Sequence, residues 1–222
     1  RDRADPQLYQ LPYLVIRGMT VASIIAFYLF LTEGLNFVKK LFQIDGVTII
    51  GGISLTTAFL GFIYSISYTT AAVTLFMLAL MPFLASLIAF IFLKEKISKQ
   101  NFVSMVVAFI GTLVMIYASA FSGSFFGLIM GFISSLGFAA FSVALRSKSD
   151  IKKFYILIYG GLFCALFSAF LMIINNQDFY IPTKNVYLSM THGTLVASGL
   201  ILFSIGSKQL LSGELTMLSL LE

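Results

Sequence analysis

Nine acidic side chains occur in the 222 residues, and two of them, Glu214 and Glu222, stand in an apolar run at the end of the sequence. At about 1.5 Å per helical residue, Glu214 falls about six and Glu222 about fourteen residues into that run, which puts Glu222 roughly 20 Å along it. A carboxylate at that depth in hydrocarbon is costly or takes up a proton, so both are candidates for linking proton uptake to another event. Glu95 stands between Lys94 and Lys96 at the end of another apolar run. A carboxylate near a helix C-terminus opposes the dipole unless a cation pairs with it, so a structural clamp with a nearby lysine is expected. The single histidine, His192, and Arg17 also lie inside apolar runs. Ionisable side chains rarely face lipid, which makes His192 a candidate for a wet interior, while the long stem of Arg17 can carry its head to the outer interface. A metal would want further His or Cys ligands, and the only cysteine, Cys164, stands alone in its own apolar run, so no metal or cofactor is expected. An intramembrane enzyme is the rival reading, but Gly131-Phe132-Ile133-Ser134 misses a GxSx spacing and the carboxylates are scattered singly. No Walker motif is present, so ATP does not power the molecule directly.

The elements that must hold these residues follow from composition. The chain is 59% hydrophobic and 10% charged, against about a quarter charged in soluble domains. Apolar runs long enough to span about 30 Å of hydrocarbon occur near 12–31, 47–67, 70–93, 102–119, 125–145, 154–174 and 186–206, and an eighth starts near 209. Named a to h, they predict an all-α membrane protein, a multi-spanning helix bundle in which Pro82 and the internal glycines are tolerated because neighbouring groups re-satisfy the backbone. The net charge of +5 arises in short connections rather than in a patch for nucleic acid. Lys39 and Lys40 lie between a and b, Lys94, Lys96 and Lys99 between c and d, Arg146, Lys148, Lys152 and Lys153 between e and f, and Lys208 between g and h. The other connections carry only Lys184, and this alternation assigns the basic ones to the cytoplasm. The expected location is therefore integral and multi-pass, in a bacterial cytoplasmic membrane, with the bilayer as the one certain partner. Oligomeric state is not legible.

Sliding the chain on itself by about 141 residues pairs Tyr13 with Tyr155, Gly18 with Gly160, Gly52 with Gly193 and Phe62 with Phe203, within one residue of a constant offset. Segments a, b and c fall on f, g and h. The shift spans an odd number of segments, so the second copy must lie upside down relative to the first, as in many secondary transporters. Segment b also bears a stripe of small and polar residues that includes Ser54, Thr57, Tyr64 and Tyr68, and segment e carries Gly127 and Gly131 in GxxxG spacing followed by Ser134 and Ser135. Such stripes serve helix packing or line a cavity, and the two glycines are assigned to close packing.

The stretch 68–117, with Pro82, Ala85, Ala89, the helix end Leu93-Lys94-Glu95-Lys96-Ile97-Ser98, Gln100 and Gly111, resembles the first repeat of the EamA-type drug/metabolite transporters. The stretch 208–222, with Ser212, Gly213, Glu214 and Glu222, resembles the start of that family's ninth helix. The resemblance implies two inverted repeats, at 1–120 (helices two to five) and 121–222 (helices six to nine), with eight helices present of an expected ten and the chain cut at both ends. It also implies a secondary transporter, in the export direction, that moves small organic metabolites or amino-acid-like solutes by alternating access, against the alternatives of an intramembrane enzyme, a channel or a scaffold. Segments b, c, e, g and h would then surround a substrate cavity, with Ser54, Thr57, Tyr64, Tyr68, Thr74, Met77, Met81, Ser134, Ser135, His192 and Thr216 as candidate lining, Glu214 and Glu222 as candidate proton-coupling groups, and Pro82, Glu95, Gly127 and Gly131 as structural residues.

The cation alternation generates a direct test. In whole cells, a cysteine placed at position 178 reacts with an impermeant thiol reagent, and one at position 150 reacts only after permeabilisation; the reverse pattern inverts the topology.

Overall fold

The computed structural model describes residues 9–95, 99, 102–103, 105–107, 109–111, 114, 124–148 and 152–219. The described residues form helices joined by short turns: α1 (Gln10–Glu33), α2 (Asn36–Leu41), α3 (Gly46–Tyr68), α4 (Ala71–Leu78), α5 (Met81–Phe92), α6 (Phe125–Arg146), α7 (Lys152–Ile174), α8 (Thr183–Gly206) and α9 (Ser212–Leu218). Among the described residues, six stretches are long and apolar enough to cross a bilayer, namely α1, α3, Ala71–Phe92, α6, α7 and α8. They coincide with segments a, b, c, e, f and g to within a few residues. The described part of segment d is helical, and segment h begins as α9. Phe27, Ile50, Leu166 and Ile173 are all exposed on the outside of the bundle, where lipid rather than water is the natural solvent.

Local chemistry sets the helix ends. Asp45 caps α3, its carboxylate accepting from the Thr48 N–H at 2.9 Å and from the Thr48 hydroxyl at 2.7 Å. α1 stops at Gly34, whose φ of 62° is cheap only for a residue without a Cβ and whose N–H closes on the Phe30 carbonyl at 2.9 Å. Segment c was expected as one helix, and it is one span made of two helices. Pro82 lies in the first turn of α5 and has no N–H to give Leu78; Ala79 N–H still reaches Leu75 O at 3.0 Å, Leu80 N–H tightens onto Met77 O at 3.1 Å, and the regular ladder resumes with Leu84 N–H on Leu80 O at 3.0 Å.

Backbone contact at small residues joins the long helices. α1 and α7 run antiparallel, with Glu33 beside Tyr155 near one end and Gly18 beside Gly161 nearer the middle. A Cβ on Gly18 would lie 2.6 Å from Gly161 O and 2.9 Å from Ala165 N, and one on Gly161 would lie 2.7 Å from Gly18 O and 2.9 Å from Ala22 N. Each helix presents to the other what it receives, the arrangement produced by a two-fold axis across the pair. α3 and α6 meet in the same manner, with Gly137 against Ser54 O and Ala58 N, and Gly61 against Met130 O and Ser134 N. Hydrogen bonds lock these contacts: Ser134 donates to Ala58 O at 2.8 Å and Thr56 to Gly160 O at 3.0 Å. The apolar core runs along the shared seam, through Leu14, Val21, Ile25, Leu55, Phe141, Leu145, Ile156 and Leu157.

Gly18→Val forces a branched side chain onto the α7 backbone, which has no flexible end to yield, and is expected to destabilise the folded protein by about 1–3 kcal/mol. Gly199→Ala meets nothing within 4 Å and is expected to leave the thermal midpoint in detergent unchanged. Equal midpoints for the two variants would remove the seam from the account.

Candidate functional site

Between α1, α3, the α4–α5 junction, α6, α8 and α9 lies a cavity of 420 Å³, within the range of about 300–1,000 Å³ usual for small-molecule sites. Ala58, Phe59 and Phe62 come from α3, Leu78 and Met81 from the junction, Ser134 and Phe138 from α6, and Leu195, Val196, Gly199, Leu200 and Phe203 from α8. Arg17, His192 and Ser219 complete the lining. The walls are thus largely apolar and aromatic, with few polar points.

Arg17 is 3% exposed and does not reach an interface, contrary to the expectation from its stem length. It shares the inward face of α1 with Gly18 and Val21, and its guanidinium carbon lies 4.2 Å from the centroid of the Phe59 ring, a cation–π contact that replaces part of the lost hydration. Its Nε and Nη1 have no hydrogen-bond partner among the described residues. Tyr13, Cys164 and His192 are the titratable neighbours. His192 bonds through Nδ1 to the Tyr13 hydroxyl, with the rings 5.9 Å apart. A hydroxyl proton given to Nδ1 leaves the proton of a neutral ring on Nε2.

One end of the bundle is tied shut below this cavity. Glu95, just past α5, pairs with Arg146 at the end of α6, and the other Glu95 oxygen accepts from Ser212 N–H at 3.3 Å. Arg146 also donates to the carbonyls of Ser207, at 3.0 Å, and Leu210. Lys153, at the start of α7, is fully buried and donates to Ser204 O and to the Ser207 hydroxyl, the latter at 3.3 Å. One seal therefore joins α5, α6 and α7 to the turn between α8 and α9. Among the described residues the partner of Glu95 is Arg146 rather than a lysine; its guanidinium fork holds a carboxylate and two carbonyls together.

Residues 10–117 match the model of the EamA-like transporter family. That family consists of membrane transporters, and the matched stretch contains Arg17, all of α3 to α5 and Glu95. No curated protein matches the chain.

Of the expected lining residues, Met81 in the EamA-like region and Ser134 and His192 beyond it border the cavity. The rest of the expected set lies elsewhere among the described residues. Ser54 sits in the α3–α6 seam. Thr57 returns its proton to Ile53 O at 2.9 Å and borders a shallow outer groove with Phe163 and Phe167. Tyr64 and Tyr68 stack at 6.4 Å beside Phe126, toward the end opposite the seal. Thr74 is buried on Ser65 at 3.0 Å. Met77 lends its carbonyl to the Ser135 hydroxyl, which also reaches Gly131 O at 3.0 Å. Thr216 folds back on Ser212 O and Gly213 O, both at 3.0 Å. Gly127 packs on Tyr68 and Thr69, and Gly131 on Met77 and Ser65. Glu214 accepts from Leu211 N–H at 3.3 Å at the start of α9, where a carboxylate suits the dipole. Glu222 lies outside the described residues. The sequence reading passed over Phe62, Phe138, Phe203, Leu195, Val196, Gly199 and Leu200; the pairing of Phe62 with Phe203 in the repeat was the available signal.

Removing either charge of the Glu95–Arg146 pair strands the other in a largely enclosed place. Glu95→Gln and Arg146→Gln should each destabilise the complete protein by about 1–3 kcal/mol, and the double variant should be less harmed than their sum. Strict additivity in thermal unfolding would show that the pair does not act as a unit.

Proposed function

We propose that the chain forms the membrane-embedded body of a secondary transporter that exports small organic solutes by alternating access across a bacterial cytoplasmic membrane. The observation that carries this reading is the 420 Å³ cavity, walled by helices from both sides of the internal repeat and closed toward the basic end by the Glu95–Arg146 seal. Residues 1–120 and 121–222 are then two EamA-like repeats of opposite orientation. The reciprocal Gly18 and Gly161 contacts favour this, as do the equivalent glycines: Gly52 of α3 packs on Tyr159 and Gly160 of α7, and Gly193 of α8 packs on Arg17 and Thr20 of α1. The cation alternation places the seal in the cytoplasm, so the described conformation is closed inward. A transport cycle opens the seal and closes the aromatic end, exposing the same cavity to each side in turn. Without a nucleotide-binding motif the work comes from a gradient, and Glu222 is the proposed proton-linked carboxylate, with Glu214 second. An enzyme finds less support, because the Ser134 hydroxyl at the cavity wall is already donated to Ala58 O.

The test is uptake of labelled amino acids and aromatic acids into vesicles holding the complete protein, with and without a pH difference. Gly199→Phe fills the cavity where nothing lies within 4 Å of the glycine and should cut transport about tenfold or more while the protein melts normally. Glu222→Gln should keep exchange and lose the response to the pH difference. Unimpaired transport by Gly199→Phe would take the cavity out of the pathway.

A further inference from the structure

Resting on the cavity as the cargo site, we infer that its cargo is a small organic anion, with a carboxylate docked on the guanidinium of Arg17 and an apolar or aromatic body lying among Phe62, Phe138 and Phe203. Arg17 is buried and borders the cavity, and its Nε and Nη1 are unpartnered among the described residues. A guanidinium in that position is costly unless an anion or water answers it, and none of the cavity-lining residues named here carries a negative charge. Among the described residues, Tyr13, Cys164 and His192 are its titratable neighbours, and none of the three is a carboxylate. Phe59 covers one face of the guanidinium at 4.2 Å, which leaves its edge to meet a ligand in the plane. A guanidinium presents parallel N–H groups in pairs that include Nη2, Nε with Nη2 or the two Nη together, and such a fork matches the two oxygens of a carboxylate. His192, steadied through Nδ1 by Tyr13, offers Nε2–H as a further donor at the same wall. The rest of the lining has no polar side chain to satisfy except Ser134, already bonded to Ala58 O, and Ser219, which donates to Thr216 O at 2.8 Å. A polar or doubly charged body would thus be left unsatisfied there, whereas a ring or a branched chain would not.

Binding to the complete protein in nanodiscs, measured calorimetrically, tests this with three probes of similar shape: phenylacetate, phenylacetamide and phenethylamine. Phenylacetate should bind about tenfold or more tightly than the amide, the usual worth of a charge-assisted pair, and the amine should not bind. Arg17→Gln should bring acid and amide to equal affinity, and Arg17→Lys should keep part of the preference. Equal binding of acid and amide to the unaltered protein overturns the inference without reference to any variant. So does failure of phenylacetate to bind, a preference for the amine, or an undiminished acid preference in a folded Arg17→Gln variant. Carboxylate binding that survives in a protein unable to move any solute leaves the anion site standing and refutes the transport reading instead.

Discussion

Everything in this bundle depends on how closely backbones can approach one another without help from water. Between helices in lipid there is little hydrophobic drive to associate, since acyl chains are as apolar as leucine, and dispersion at short range must hold the pieces together. Gly18 on Gly161, and Gly137 on the Ser54 and Ala58 backbone, bring main chains into direct contact. Once they touch, the serines and threonines between them can bond to the opposite carbonyls, as Ser134 and Thr56 do. The glycine seams therefore set where the helices cross, and the crossing sets where space is left between them.

That space is bounded by two kinds of polar group with opposite bookkeeping. At the basic end, Glu95 and Arg146 answer each other, Arg146 also holds carbonyls of the α8–α9 turn, and Lys153 bonds the end of α8. At the cavity, Arg17 is answered only in part, by the face of Phe59. The first arrangement ties helix ends together; the second leaves unused hydrogen-bonding capacity on a buried guanidinium beside the cavity.

Much of the architecture was legible because lipid demands it. A span needs about twenty apolar residues, so segments a, b, c, e, f and g could be bounded closely. The cavity wall was harder to read for a physical reason. In a membrane helix a hydroxyl can bond its own preceding turn, as Thr57 does on Ile53 O and Thr216 on Ser212 O, so a polar side chain need not mark a wet surface. Phe62, Phe138 and Phe203 look in sequence like any lipid-facing aromatic. The Glu95 pairing was hidden by distance along the chain, and the depth of Arg17 by a side chain long enough for either destination.

The break at Ala79 and Leu80 has a mechanical meaning. A continuous helix transmits bending and torque along its length through its hydrogen-bond ladder, and one with a rung removed does so poorly across the gap. Here the gap falls between Leu78 and Met81, both on the cavity wall. On one side α4 is pinned to α3 and α6 through Thr74 and Met77; on the other, α5 ends beside Glu95. The span is an elbow: one arm is held by Thr74 and Met77, the other packs on α6 and α9 and leads to Glu95, so a change of angle at the joint shifts Glu95 relative to α4.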